Sequence, residues 1–192
     1  MTDADKNHDS DEEIKAYKTF VKTVSSKSHK VYLGETFNAP KEYVLLFNEL
    51  ENAKEGDEFI FYLNSYGGRL DSGIQFANKL ATTKAHTKSI VEAPCYSMGA
   101  IFPFLTNEVE MLPHTFLMFH DASSGFGRQK MNEIELNVNA FRTLFLDILQ
   151  THCSAILSDE EIASIGKGQD VYLTNKDVAL RLEQKQRMVT EA

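Results

Sequence analysis

The sequence predicts an α/β domain built on a mostly parallel sheet, and three observations carry that prediction. Apolar runs of strand length alternate with stretches in which apolar residues recur every three or four positions, the order expected of strand-helix-strand units. The longest strand-like run, EFIFYLN, is apolar at nearly every position, as a strand covered on both faces should be. A chain of 192 residues, 42% apolar and 25% charged, fits one soluble domain with a single sizeable core.

Residues 1–27 read as a mobile N-terminal tail, acidic first and polar later. The opening MTDADKNHDSDEE holds six acidic residues against one lysine, and only IKAYKTFVKTV has the spacing of a short helix. The domain proper, residues 28–192, starts where KVYL changes the pattern. EYVLLFNELENA places Val44, Phe47, Leu50 and Ala53 three apart, a helical stripe. EFIFYLN follows as the buried strand, and SYGG ends it. DSGIQFANKLATT returns to helical spacing, KSIVEA reads as another strand, and a short helix opens after Ser97. EVEML and TFLMF are two further strands. MNEIELNVNAFRTLFLDILQTHCSAI is one long helix whose stripe is Ile134, Phe141, Leu144, Phe145 and Ile148.

Charge and composition exclude several classes of function. A net charge of −8 disfavours a nucleic-acid partner, which a basic face would have to hold by its phosphates. No apolar run approaches the ~18 residues of a membrane span, and the acidic start is no export signal. The two cysteines, Cys95 and Cys153, lack the paired spacing of a disulfide framework or a zinc site and fit a reducing, cytoplasmic compartment. Neither Gly-x-Gly-x-x-Gly nor Gly-Lys-Ser/Thr occurs, so no phosphate-cradling loop is expected. No metal and no cofactor is expected either.

Four segments carry residues with chemistry. In APCYSMGAIF, Ser97 sits between a strand and a helix, a turn that aims a hydroxyl outward and leaves the Met98 N–H at a helix start. Gly99 and Ala100 lack bulk, which lets helix and strand approach closely. For this segment alone, a plain helix N-cap explains Ser97 as well. Gly67 and Gly68 of NSYGG lie at the C-terminal end of the buried strand, where α/β proteins place ligands. Glycine there lets a backbone N–H point at a ligand, although Gly-Gly pairs also serve as simple turns. Of six histidines, only His120 directly follows a long apolar strand; it is either a base or a hydrogen-bonded structural residue. Asp170 precedes the apolar VYL, where a carboxylate can orient an imidazole or merely cap a turn.

Together these pieces resemble the Clp protease proteolytic-subunit (ClpP) family, serine peptidases of the ClpP/crotonase fold. The likeness runs from KVYLGETFN to DVYLTNKDVA, roughly residues 30 to 180. YLNSYGG is similar to the family's strand and glycine pair, YSMGAIF to its nucleophile segment, and FLMFHDASSGFGRQ to its histidine segment with the handle strand behind it. NEIELNVNAFRTLFLDIL is similar to the handle helix, which puts the handle at about residues 122–155. The resemblance implies repeated β-β-α units with a protruding handle. It makes Ser97 the nucleophile, His120 the general base and Asp170 its orienter, with Gly68 and Met98 as backbone oxyanion donors. It further implies a homo-oligomer of two stacked heptameric rings, peptide or unfolded-protein substrates, and an AAA+ ATPase partner that alone uses ATP.

The sequence also departs from the family. Tyr66 stands where a proline usually precedes the glycine pair, and Cys95 and Tyr96 are bulkier than the residues common before the nucleophile. Asp121 puts a negative charge directly after the histidine, where an amide is usual. Beyond Ala179 the family's glycine turn and last short strand are missing. Two other functions stay open on this reading: a catalytically idle ring subunit of the same fold, and a crotonase-type acyl-CoA enzyme, which also builds its oxyanion hole from backbone N–H groups.

Overall fold

The computed structural model describes residues 25–122 and 130–190. Along the chain run β1 (Ser28–Phe37), a 3₁₀ turn (Pro40–Tyr43), α1 (Val44–Asn52), β2 (Glu58–Gly68), α2 (Leu70–Thr82), β3 (His86–Val91) and β4 (Cys95–Tyr96). Next come α3 (Met98–Ile101), which tightens into a 3₁₀ turn (Phe102–Leu105), then β5 (Glu108–Met111), β6 (Phe116–Phe119) and α4 (Met131–Cys153). The chain closes with α5 (Asp159–Ile165), β7 (Val171–Thr174) and α6 (Asn175–Thr190).

One sheet has the order β1-β2-β3-β5 with every pairing parallel; a second has β4-β6-β7, parallel between β4 and β6 and antiparallel between β6 and β7. This is the α/β fold with a mostly parallel sheet that the sequence predicts. β3–β4–α3 and β5–β6–α4 are the repeated β-β-α units. Residues 1–24 of the segment read as a tail, and residues 123–129 of the segment read as a handle strand, lie outside the described residues. Among the described residues no helix is long and apolar enough to cross a membrane.

β2 corrects one expectation. Phe59, Phe61 and Leu63 are fully buried, but Ile60 and Tyr62 on the opposite face are only half-covered. That face carries a stack of Tyr62 on Tyr32 (4.8 Å), and Tyr32 is 69% exposed. A tyrosine adds apolar area to a strand while its hydroxyl stays wet, so an unbroken apolar run did not require two buried faces. The stripe of α1 is also narrower than its spacing suggested. Phe47 and Leu50 are buried, whereas Val44 at the helix start is exposed. Phe37, Phe47, Phe76 and Phe102 meet edge to face or tilted between the parallel sheet and its helices, at centroid distances of 4.8–5.9 Å. Aromatic packing of this kind fixes how the helices sit on the sheet.

Asp57 ties the sheet together at its other end. Its carboxylate accepts the N–H groups of Lys27 (2.8 Å) and Lys54 (2.9 Å), and its carbonyl accepts from His86 (2.9 Å). One buried residue therefore ties the chain entering β1 and β2 through its side chain and the start of β3 through its backbone carbonyl. The long helix ends at Cys153 rather than running on to Ile156: the N–H groups of Ile156 and Leu157 turn back to the Cys153 carbonyl (2.9 and 2.8 Å), and a capping box of Ser158 and Glu161 opens a separate helix, α5. Glu161 also takes a two-pronged contact from Arg181 of α6 (2.6 and 2.9 Å), and Arg181 reaches the Ile156 carbonyl (2.6 Å). Among the described residues the chain thus closes in a helix held by the buried Val178 and one arginine fork.

Candidate active site

Ser97 sits where β4 turns into α3. Its N–H donates to the Met118 carbonyl of β6 (2.8 Å), and its carbonyl accepts from Ala100 (2.9 Å) and Ile101 (3.2 Å). Its backbone lies at φ 55°, ψ −125°, a conformation rare for a residue with a Cβ. Holding a non-glycine residue there costs about 1–3 kcal/mol and marks a site that the surroundings enforce. The N-cap explanation fails on inspection: Ser97 occupies the cap position, yet its side chain makes no capping hydrogen bond. The hydroxyl is left for other work.

The surroundings that enforce the turn come from β2. Gly67 has φ 94°, and a Cβ on it would stand 2.6 Å from the Ser97 Cβ and 2.7 Å from the Tyr96 carbonyl. Only glycine lets β2 pass beneath the serine. Gly99 faces the Ser65 carbonyl, which an added Cβ would meet at 2.7 Å, so α3 packs directly on the strand as its small residues suggested. The register of β1 on β2 slips between Glu35 and Thr36, and Tyr66 is left without a partner at the bulge. Turned outward, Tyr66 stacks on Tyr96 at 5.7 Å. The two bulky departures from the family pattern thus accommodate each other.

Ser97, Met98 and Gly68 share the wall of a cavity of about 840 Å³, within the size range of small-ligand and peptide pockets. Thr36, Asn38, Arg69, Leu70 and Asp71 also line it, as do Asp121, Ala122 and the α4 residues Val138, Phe141, Arg142 and Phe145. The charges in the lining are paired. Arg69 bonds Asp71 (2.6 Å) and holds its carboxyl below the usual range, while Arg142 bonds Asp121 (2.9 Å). As the first residue of α3, Met98 has an N–H with no acceptor inside its helix.

His120 and Asp170 stand one step away. β4 pairs with β6 as Tyr96 to Met118, and β6 with β7 as Phe119 to Val171, so Ser97, His120 and Asp170 all lie just past the ends of neighbouring ladders. His120 is half-buried and Asp170 exposed, and neither lines the cavity. Among the described residues no hydrogen bond joins the three side chains. The fold therefore gathers Ser97, Met98 and Gly68, brings His120 and Asp170 to the adjoining strand ends, and leaves the three side chains unlinked. Arg142 escaped the sequence reading altogether, since no spacing rule pairs a helix arginine with an aspartate 21 residues earlier.

A model of the Clp protease family matches residues 15–177. The chain belongs to the Clp protease family. The match reaches back into the segment read as tail and covers the elements of both sheets. An ATP-dependent Clp protease proteolytic subunit of Borreliella afzelii is 25% identical over 153 residues, 77% of this chain and 76% of that protein. The proteolytic subunit 1 of Borreliella burgdorferi is likewise 25% identical over 153 residues, 77% of each chain. The protein is a divergent family member, in keeping with its departures at Tyr66, Tyr96, Asp121 and the C-terminal helix.

Proposed function

We propose that this protein is a serine endopeptidase of the ClpP type. Ser97 is the nucleophile, His120 takes its proton, Asp170 orients the imidazole, and the N–H groups of Gly68 and Met98 receive the oxyanion. One observation carries the reading: the Ser97 hydroxyl, held in a strained turn and unused as a cap, opens onto a large cavity. Membership of the family supports it. In the first step Oγ attacks the scissile carbonyl carbon, and the proton passes through His120 to the departing amine as the C–N bond breaks. Water then hydrolyses the acyl ester by the same route. Hydrogen bonds among catalytic groups are commonly long in a free enzyme and tighten when substrate binds, so the unlinked side chains fit a resting state. The reading includes a cytoplasmic homo-oligomeric ring, heptameric and stacked in pairs, that degrades peptides or chains fed by an AAA+ ATPase; hydrolysis itself needs no cofactor.

A fluorophosphonate probe followed by intact-mass analysis should modify Ser97 alone. Ser97→Ala should lower peptide hydrolysis on the order of 10⁴-fold or more, His120→Ala should match it, and the double variant should be little worse. Unchanged hydrolysis in Ser97→Ala overturns the assignment. The unlinked His120 and Asp170 favour a second reading, an idle ring subunit, which the same probe tests: a folded wild-type ring that takes no label is idle.

A further inference from the structure

We propose that Asp121 and Arg142 are a positioning pair that fastens the chain leaving His120 to helix α4 and so sets how well Ser97 is activated. The inference rests on the reading of His120 as the base. Asp121 is the next residue, and both of its oxygens are engaged. Oδ1 accepts the Ala122 N–H (2.9 Å), and Oδ2 accepts Nη2 of Arg142 (2.9 Å). On its other side His120 is continuous with β6, which the β7 ladder holds in register. The imidazole therefore hangs between two anchors, a sheet ladder before it and an ion pair after it.

The pair is placed to matter. Both residues line the cavity that Ser97 faces. The Asp121 side chain is only 20% exposed, so its contact is better shielded than an open surface pair. Arg142 is presented by a helix whose next turn, at Phe145, is buried in the core, so the guanidinium has a firm base. Removing either partner takes away the one ion pair that ties Asp121 to α4. Misplacing a catalytic group by about 1 Å can cost about 10²-fold in rate. Neutral variants that keep shape isolate the effect, because Asp121→Asn retains the oxygen that caps Ala122.

The test uses the full chain, with Asp121→Asn, Arg142→Gln, the double variant and Arg142→Lys. Three readouts are compared: the rate constant for phosphonylation of Ser97, kcat and KM for a small peptide, and particle mass. Each single neutral variant should slow labelling and lower kcat by about 10- to 100-fold, with KM within about threefold and particle mass unchanged. The double variant should be no slower than either single one, because the two side chains act as one unit. Arg142→Lys, which keeps a charged donor, should restore most of the rate. Where Arg142→Gln does not fold, Arg142→Met takes its place in the cycle. Single variants within twofold of wild type, multiplicative losses in the double variant, or a loss confined to KM would each overturn the pairing. Failure to label wild-type Ser97 would instead overturn the peptidase reading and this one with it.

Discussion

At the scale of single residues, the site depends on what is missing as much as on what is present. Gly67 carries no Cβ, and that absence lets Ser97 sit over β2 at φ 55°. Gly67→Ala should therefore act twice. The left-handed backbone costs an L-residue about 1–2 kcal/mol, and the new methyl must displace the Ser97 Cβ or the Tyr96 carbonyl, both under 3 Å away. We expect a clear loss in Tm and a loss of peptide hydrolysis larger than the unfolded fraction explains. Gly34→Ala is the control: nothing lies within 4 Å of a Cβ there, and Tm and activity should stay at wild-type values. If Gly67→Ala behaved like Gly34→Ala in thermal melts and assays, the account of the serine turn would be wrong. The position of Ser97 was readable because a strand-like run ends and small residues begin around it. That its side chain declines to cap the helix was not readable, since capping is decided by a dihedral angle that no neighbour in sequence reveals.

At the scale of elements, the polar ties that order strands and helices make a pH dependence. Asp57 is 6% exposed, and the N–H groups of Lys54 and then Lys27 hold its carboxyl below the usual carboxylate range. A folded value below the unfolded one means the ties stabilise the protein above about pH 4, the unfolded aspartate range, and are lost as pH falls through the folded value. Glu161, held low by Arg181, and Asp177, held low by the Thr174 hydroxyl, act in the same direction. Tm should therefore drop as pH is taken from 7 towards 3. Asp57→Asn offers one acceptor oxygen where two N–H groups converge, so it should lower Tm at pH 7 and narrow the difference between pH 7 and pH 3. An undiminished acid drop in that variant would remove Asp57 from the explanation. These ties also mark where sequence reading stopped. The Ser158–Glu161 capping box is a local signal that splits the long helix and is visible in LSDEE. α6 gave no stripe to read, because only Val178 is buried and Arg181 secures the rest by a contact 20 residues back.

At the scale of the molecule, α4 joins the site to the assembly proposed for it. Its 23 residues span about 34 Å at 1.5 Å per residue, more than its own domain covers. Phe145, Leu149 and Cys153 are buried, whereas Leu136 is 67% and Leu144 40% exposed on the same helix. Of the stripe expected from spacing, Phe145 is buried, Ile134 and Ile148 are half-buried, and Phe141 and Leu144 are exposed, so the helix presents apolar side chains to solvent. Exposed apolar area of this kind favours association, and a second copy of the handle is the partner that the ring proposal supplies. Phe141 is unsuited to test this because it also lines the cavity with Ser97. Leu136→Asp combined with Leu144→Asp leaves the cavity lining intact while placing two charges in the contact. The variant should keep its circular dichroism spectrum, give smaller particles by native mass spectrometry or light scattering, and lose most peptidase activity. The loss of activity follows from Arg142, which lies between the two leucines on the same helix and grips Asp121 beside His120. A handle without its neighbour leaves the half of α4 before Arg142 without its proposed partner, so the grip on Asp121 is held from the Phe145 side alone. A dispersed variant with full activity would separate assembly from catalysis, and an active wild-type monomer in light scattering would refute the ring.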